Sequence, residues 1–272
     1  MNKTLPVRVV QIISILLLMA VYLLPLFFVF NTSFKSESDF LRDSVGFVRS
    51  VRLTNYLDAF VKAKFSLYAI NSLFYAGVCV TVSIVLAVLL AFPIARGFFR
   101  FGRLVYSAFL LGMFLPSGAI PLWQMFLKAG LYNTRLGYMM TMIGGGGVTL
   151  FFFVTYIKNL PKEFDEAASI DGCGYLRYLA VILMPLMMPA ISSMAVLSAI
   201  GVWNEVINSI IYLSNEHMYP VTRGLYVFKG QYSVQWTQLT AALVIVATPL
   251  IILYIALQKY IIDGVVAGGV KA

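Results

Sequence analysis

Few side chains in this sequence are suited to chemistry, and their spacing excludes most of what they could do. His217 is the lone histidine. Glu216 lies beside it, but no His-Glu-x-x-His pattern occurs, so a zinc-hydrolase site is not expected and a solvated loop residue is. Cys79 falls in an apolar run and Cys173 in a polar loop, too few and too scattered for a disulfide framework or a metal ligand set, and both read as packing residues. Gly144-Gly145-Gly146-Gly147 has no lysine after it, and no Gly-x-x-x-x-Gly-Lys-Ser/Thr loop is present, so any nucleotide must be handled by another chain. Within an apolar stretch the four glycines suit close helix packing or local unwinding. No catalytic residue, metal ligand or cofactor of this chain is therefore assigned.

The acidic residues are more informative. Asn159 to Tyr178 is a polar stretch that opens Asn159-Leu160-Pro161-Lys162-Glu163-Phe164-Asp165-Glu166-Ala167-Ala168-Ser169-Ile170-Asp171-Gly172. Pro161 suits a first helical position, Glu163, Asp165 and Glu166 put negative charge at the positive end of a helix dipole, and Gly172 suits a left-handed helix end. A helix of about three turns is predicted, with Phe164, Ala167, Ala168 and Asp171 on one face by the i, i+3, i+4, i+7 rule. An aromatic knob, two small side chains and a carboxylate can receive another protein surface. From the residues alone, a solvated connector resting on a membrane is an equal reading. Asn204 and Glu205 close a later apolar run, where they either face a cavity or meet water. Trp123, Tyr232 and Trp236 have rings able to stack on a sugar, but such rings also gather at membrane interfaces.

The elements that position these residues follow from composition. Of 272 residues 61% are hydrophobic and 11% charged, and the mean hydropathy is +0.89. A soluble domain carries roughly a quarter charged residues, so this is a membrane protein. The net charge of +9 sits between apolar runs, facing lipid headgroups and water rather than nucleic acid. Six runs approach the roughly 20 residues that cross a bilayer, near 9–30, 67–94, 104–127, 138–157, 181–203 and 239–260. The first follows Lys3 and Arg8 but is longer than a signal-peptide core and lacks an Ala-x-Ala site, so a retained span is expected. The third is interrupted by Pro116 and Pro121 and loosened by Gly112 and Gly118, as in a broken helix lining a cavity. If both termini are cytoplasmic, Lys3, Arg8, Arg96, Arg100, Arg103, Lys158, Lys162, Arg177, Lys259 and Lys271 lie inside, and ten basic residues lie outside. The dense, acid-free cluster Arg96, Arg100, Arg103 favours that assignment.

The loop sequence resembles the integral membrane permeases of bacterial ATP-binding-cassette importers, whose signature is Glu-Ala-Ala, three residues, Gly, nine residues, Ile, one residue, Leu-Pro. Here Glu166-Ala167-Ala168 is followed by Gly172, Ile182 and Pro185 at those spacings, with Met184 in place of leucine. Pro161 to Gly172 as a whole, Trp203-Asn204-Glu205 and the tail Gly264-Val265-Val266-Ala267-Gly268-Gly269-Val270-Lys271 narrow the resemblance to the carbohydrate, maltose-type branch. The resemblance implies an all-α membrane protein of six transmembrane helices with the type I importer permease fold and both termini cytoplasmic. It implies one permease domain over residues 1–272, multi-pass in the cell membrane, with a coupling loop at 159–180. It also implies a second permease, two cytoplasmic ATP-binding subunits that bind ATP and Mg, and an extracytoplasmic solute-binding protein. Glu166 to Gly172 would form the coupling helix, with Phe164, Ala167, Ala168 and Asp171 on its docking face. Asn208 to Gln238 and Asn31 to Ser66 are candidates for outer-surface contacts. A secondary transporter would carry ion-coupling charges within its spans, and an intramembrane enzyme paired acids, a Ser and His pair or a metal cluster at membrane depth. The six runs hold almost no such residues.

Overall fold

The computed structural model describes residues 5–116, 118–143, 147–230 and 233–269; three of the apolar runs become helices that overrun them, and three are each divided between shorter helices. Of the glycine run only Gly147 falls among them, and Lys3, Tyr232, Val270 and Lys271 lie outside. In chain order the helices are α1 (Leu5–Ser33), α2 (Glu37–Arg42), α3 (Thr54–Lys62), α4 (Phe65–Arg96), α5 (Gly102–Phe114), α6 (Ala119–Lys128), α7 (Arg135–Ile143) and α8 (Gly147–Asn159). There follow α9 (Glu163–Ile170), α10 (Tyr175–Tyr178), a π-helical turn at Leu179–Leu183, α11 (Met184–Leu186), α12 (Met188–Asn204), α13 (Ile207–Tyr212), two 3-10 turns and α14 (Trp236–Gly269). Among the described residues strand pairing is limited to one antiparallel bridge, Lys229 with Val234.

Among the described residues three helices are long and apolar enough to cross a membrane, or up to six spans result if each of three bent pairs is one. The bends have local causes. Between α5 and α6 the chain turns by 111°. Leu115 there is extended, at φ −74° and ψ 143°, because the ring of the following Pro116 disfavours helical backbone before it. Between α7 and α8 the bend is 45°. The run from Val181 to Trp203, expected to be continuous, is instead bent by 82° between Tyr175–Leu186 and Met188–Asn204. Pro185 and Pro189 lack the N–H groups that would bond one turn back. The Met187 N–H closes the gap by reaching the carbonyls of Leu183 at 2.9 Å and Met184 at 3.1 Å.

The chain divides into two compact units, Met1–Ser66 with Gly224–Pro249, and Leu67–Arg223 with Leu250–Ala272. In the first, none of the most apolar stretch of α1 is buried within the chain. A helix apolar all round takes lipid or another protein as its solvent. The segment after it is held by side chains bonded to backbone. Asn31 donates to the Gly46 carbonyl at 2.8 Å and accepts from the Val48 N–H at 2.9 Å, while Asn55 donates to the carbonyls of Ser33 and Lys35. Lys35 is buried, and its ammonium is bonded to the carbonyls of Asp43 and Ser44 at 2.9 and 3.1 Å. A hydrogen bond from the Gly46 N–H holds the Asp43 carboxyl below its ordinary pKa. Ala59, Ala63, Phe228, Ala241 and Ala242 form this unit's core.

In the second unit α4 buries Tyr68, Ser72, Tyr75, Cys79, Ile84, Ala87, Val88, Ala91 and Phe92, a stripe at helical spacing. From Ile84 to Phe92 it packs with Leu150, Phe153, Val154 and Ile157 of α8, Ala168 of α9 and Leu183, Met187 and Met194 further on. The earlier turns of α4 pack with Tyr138, Met139 and Leu213.

Candidate functional site

Helix α9 is short, so its stability comes from its ends and its docking rather than from its own hydrogen bonds. Its C-terminus is a complete Schellman motif. Gly172 stands at φ +65°, its N–H donates to the Ser169 carbonyl at 3.1 Å, and the Cys173 N–H donates to the Ala168 carbonyl at 2.9 Å. Its N-terminus begins at Glu163 with Lys162 as the cap, so Pro161 precedes the helix instead of opening it.

The inner face of α9 is clamped. Asp165 Oδ2 lies 2.6 Å from Arg96 Nε at the end of α4, with the two side chains 15% and 3% exposed. The same guanidinium donates to the carbonyls of Leu160 at 3.2 Å and Pro161 at 3.4 Å. The Tyr178 hydroxyl donates to the other carboxylate oxygen, Oδ1. Phe92 stacks on Tyr178 with centroids 5.1 Å apart, and the Tyr175 hydroxyl bonds the Leu89 carbonyl at 3.3 Å. One buried cation thus fixes the carboxylate of α9 and the backbone leading into it, while α9 is also tied to the segment leaving it. Sequence reasoning placed Arg96 in a basic cluster and Asp165 at a helix dipole and missed their pairing. The available signal was that Asp165 lies three residues before Ala168, on the face that turns inward.

The expected docking face is therefore split. Ala168 is 5% exposed and belongs to this chain's own core, because the clamp draws that side of the helix in. Phe164, Glu166, Ala167 and Asp171 are exposed. Ile170, which sequence reasoning did not single out, is 87% exposed, and Glu163 shares its side of the helix.

A second feature is a cavity of about 480 Å³ formed by α4, α7, α8, α12 and the residues that follow α12. Hydroxyls of Ser83, Thr141, Thr149 and Ser198 alternate with Val80, Met142, Met194 and Leu197. Glu205 is the one charged residue in its lining; Oε1 accepts the Asn208 N–H at 2.8 Å, which leaves the carboxylate at the edge of the space. Asn204 is exposed and does not line the cavity, nor does any tryptophan. Trp123 lies edge-on to Tyr132 and Trp236 is near Phe40. His217 is exposed, and among the described residues no three His, Cys, Asp or Glu side chains gather as a metal site.

The family model described as "Binding-protein-dependent transport system inner membrane component" matches residues 4–266. The melibiose/raffinose/stachyose import permease protein MelC of Bacillus subtilis is 26% identical over 99% of this chain and 98% of its own length. The trehalose/maltose transport system permease protein MalG of Thermococcus litoralis is 29% identical over 97% of each. The diacetylchitobiose uptake system permease protein NgcG of Streptomyces coelicolor is 27% identical over 91% of this chain and 84% of its own. Among solved structures, a chain of a bacterial ABC transporter involved in the import of the acidic polysaccharide alginate superposes with a TM-score of 0.83 over 96% of this chain and 99% of its own, at 22% identity.

Proposed function

We propose that this chain, which belongs to the family of inner membrane components of binding-protein-dependent transport systems, carries a sugar or oligosaccharide across the cell membrane under the drive of separate ATP-binding subunits. Each bent helix pair is one span, making six, and both termini are cytoplasmic. The full assembly holds a second permease, two cytoplasmic subunits that bind ATP and Mg, and an extracytoplasmic solute-binding protein. Alternation between inward-open and outward-open forms is rigid-body rocking that needs no covalent chemistry here.

The observation that carries this reading is the build of α9. It bears Glu166 to Gly172 of the family signature, is capped at one end and clamped through Asp165, and turns a charged and apolar face outward. A rigid helix of this kind passes force without absorbing it. Purification of the complex in mild detergent tests the reading: a second permease and ATP-binding subunits should co-purify, and a chain active alone would refute it. Phe164→Ala removes the exposed aromatic at the edge of that face and is expected to weaken the ATP-binding subunits' hold by roughly 30-fold, about 2 kcal/mol, while the second permease stays bound. Unchanged retention in pull-downs would take Phe164 out of the interface.

The cavity supports an uncharged solute. Hydroxyl and thioether walls with one carboxylate suit the polar edges and apolar faces of a neutral sugar and repel an acidic one, unlike the cargo named for the alginate transporter. Glu205→Gln keeps the acceptor for the Asn208 N–H and removes the charge. Trading a charged for a neutral acceptor costs about 1–1.5 kcal/mol, so the half-saturating solute concentration for uptake is expected to rise roughly five- to tenfold with membrane insertion unaltered. Uptake kinetics equal to wild type would place Glu205 off the solute path.

A further inference from the structure

The geometry points to a binding site for the phosphate-bearing headgroup of an anionic phospholipid in the pocket between the end of α4 and the start of α5, beside the end of α8. The pocket is about 590 Å³ and is lined by Arg100, Arg103 and Lys158 with no carboxylate. The nearby acid Asp165 is already committed to Arg96, which is not among the lining residues. Arg100 lies over the Phe101 ring at 5.8 Å and Lys158 over the Tyr106 ring at 5.9 Å from the centroids, so ring faces orient two of the cations. The chain enters α5 here with no side-chain cap, which adds the positive end of a helix dipole to the same space.

Three cations that face no carboxylate among the described residues call for an anion, and the surroundings decide which. Phe98, Phe101 and Leu104 are each more than half exposed beside them, and Phe99 is nearly so. Exposed apolar side chains next to arginines at the end of a span are the composition of a membrane interface, where acyl chains cover the rings and the headgroup meets the cations. A free phosphate ion would use the cations and leave the rings in water. A protein partner would need acidic residues set among apolar ones, for which nothing in this pocket argues.

The test uses the whole importer complex in detergent, with native mass spectrometry counting retained lipids. The probes are phosphatidylglycerol and phosphatidylcholine with identical acyl chains. Each interfacial cation is worth about fivefold, so the triple variant R100Q/R103Q/K158Q should retain phosphatidylglycerol roughly a hundredfold less well, with phosphatidylcholine unchanged. R100K/R103K keeps the charge and should retain the lipid, which separates loss of the site from misfolding. Added salt should weaken the wild-type site and leave the triple variant unaffected. Equal retention of phosphatidylglycerol by wild type and triple variant would overturn the proposal. So would saturable binding of inorganic phosphate that phosphatidylglycerol does not displace, which would make this a free-ion site. Loss of the ATP-binding subunits from the triple variant with lipid retention intact would make it a protein-docking face and overturn the lipid site equally.

Discussion

Asp165→Asn is expected to leave the chain inserted and assembled but to reduce solute uptake to a few per cent of wild type while ATP hydrolysis by the complex continues. The carboxylate it removes faces a guanidinium 3% exposed to solvent. Removing one partner of a buried pair strands the other charge, at a cost of about 3–5 kcal/mol, more than a hundredfold in the equilibrium between docked and undocked α9. The asparagine still accepts from Tyr178, so the change isolates the charge from the shape. The loss is local, because most of the buried side chains packed with α4 belong to α8 and to the helices after α10. Arg96→Lys should be intermediate, since an ammonium keeps the charge but cannot reach Asp165 and the carbonyls of Leu160 and Pro161 together. Limited proteolysis across 159–174, read beside uptake, checks the mechanism. Faster cleavage with normal uptake would mean that rigidity of α9 is not needed for coupling, and wild-type behaviour in both would mean that the pair does not hold the helix.

Gly172→Pro is expected to abolish uptake as well, by a different route. Proline fixes φ near −65°, whereas Gly172 stands at +65°, and it deletes the N–H that caps the Ser169 carbonyl. The helix then runs on or unravels, at about 3 kcal/mol or more. Space is not the issue, because a Cβ built on Gly172 meets nothing within 4 Å. Gly172→Ala therefore suffers only the left-handed penalty of about 1–2 kcal/mol, and asparagine less, since its short polar side chain suits that region. Uptake should fall in the order Gly, Asn, Ala, Pro. A proline variant that transports normally would remove α9 from the coupling path, and an alanine variant as impaired as proline would point to a steric contact with a partner in place of a backbone requirement.

Both predictions concern a helix whose existence was legible in the sequence and whose attachment was not. Acidic residues near its start and Gly172 at its end mark α9 by local rules. The clamp joins Arg96 to Asp165 across helices α5 to α8, and nothing local distinguishes that arginine from Arg100 or Arg103 nearby. The same limit explains Ala168, which the i, i+3, i+4, i+7 rule set on a docking face with Phe164 and which the structure turns into the chain's own core. Three of the six apolar runs lie within longer helices, as 67–94 does within α4, which starts at Phe65 and ends at Arg96. Helical hydrogen bonds do not require apolar side chains, so a helix continues into the headgroup zone until glycine or proline stops it. Pro116 announced the break after α5, whereas Pro185, noticed as part of a signature, gave no warning that Pro189 would join it in an 82° bend. Glu205 was singled out as a polar residue at a span end, and its place in the cavity depended on α4, α7 and α8 arriving there too.

That bend has a mechanical meaning. Tyr178, gripping Asp165, lies on the short arm, Tyr175–Leu186, while Met194, Leu197, Ser198 and Gly201 of the cavity wall lie on the long arm, Met188–Asn204. Turning as one piece about the elbow, the two arms would act as a bell crank: a push across the end of one would emerge as a swing of the other, scaled by the ratio of their lengths. A straight span would deliver the same push as axial sliding and leave the width of the cavity unchanged. An elbow at Met187 would turn a displacement of the short arm into a sideways one at the cavity wall.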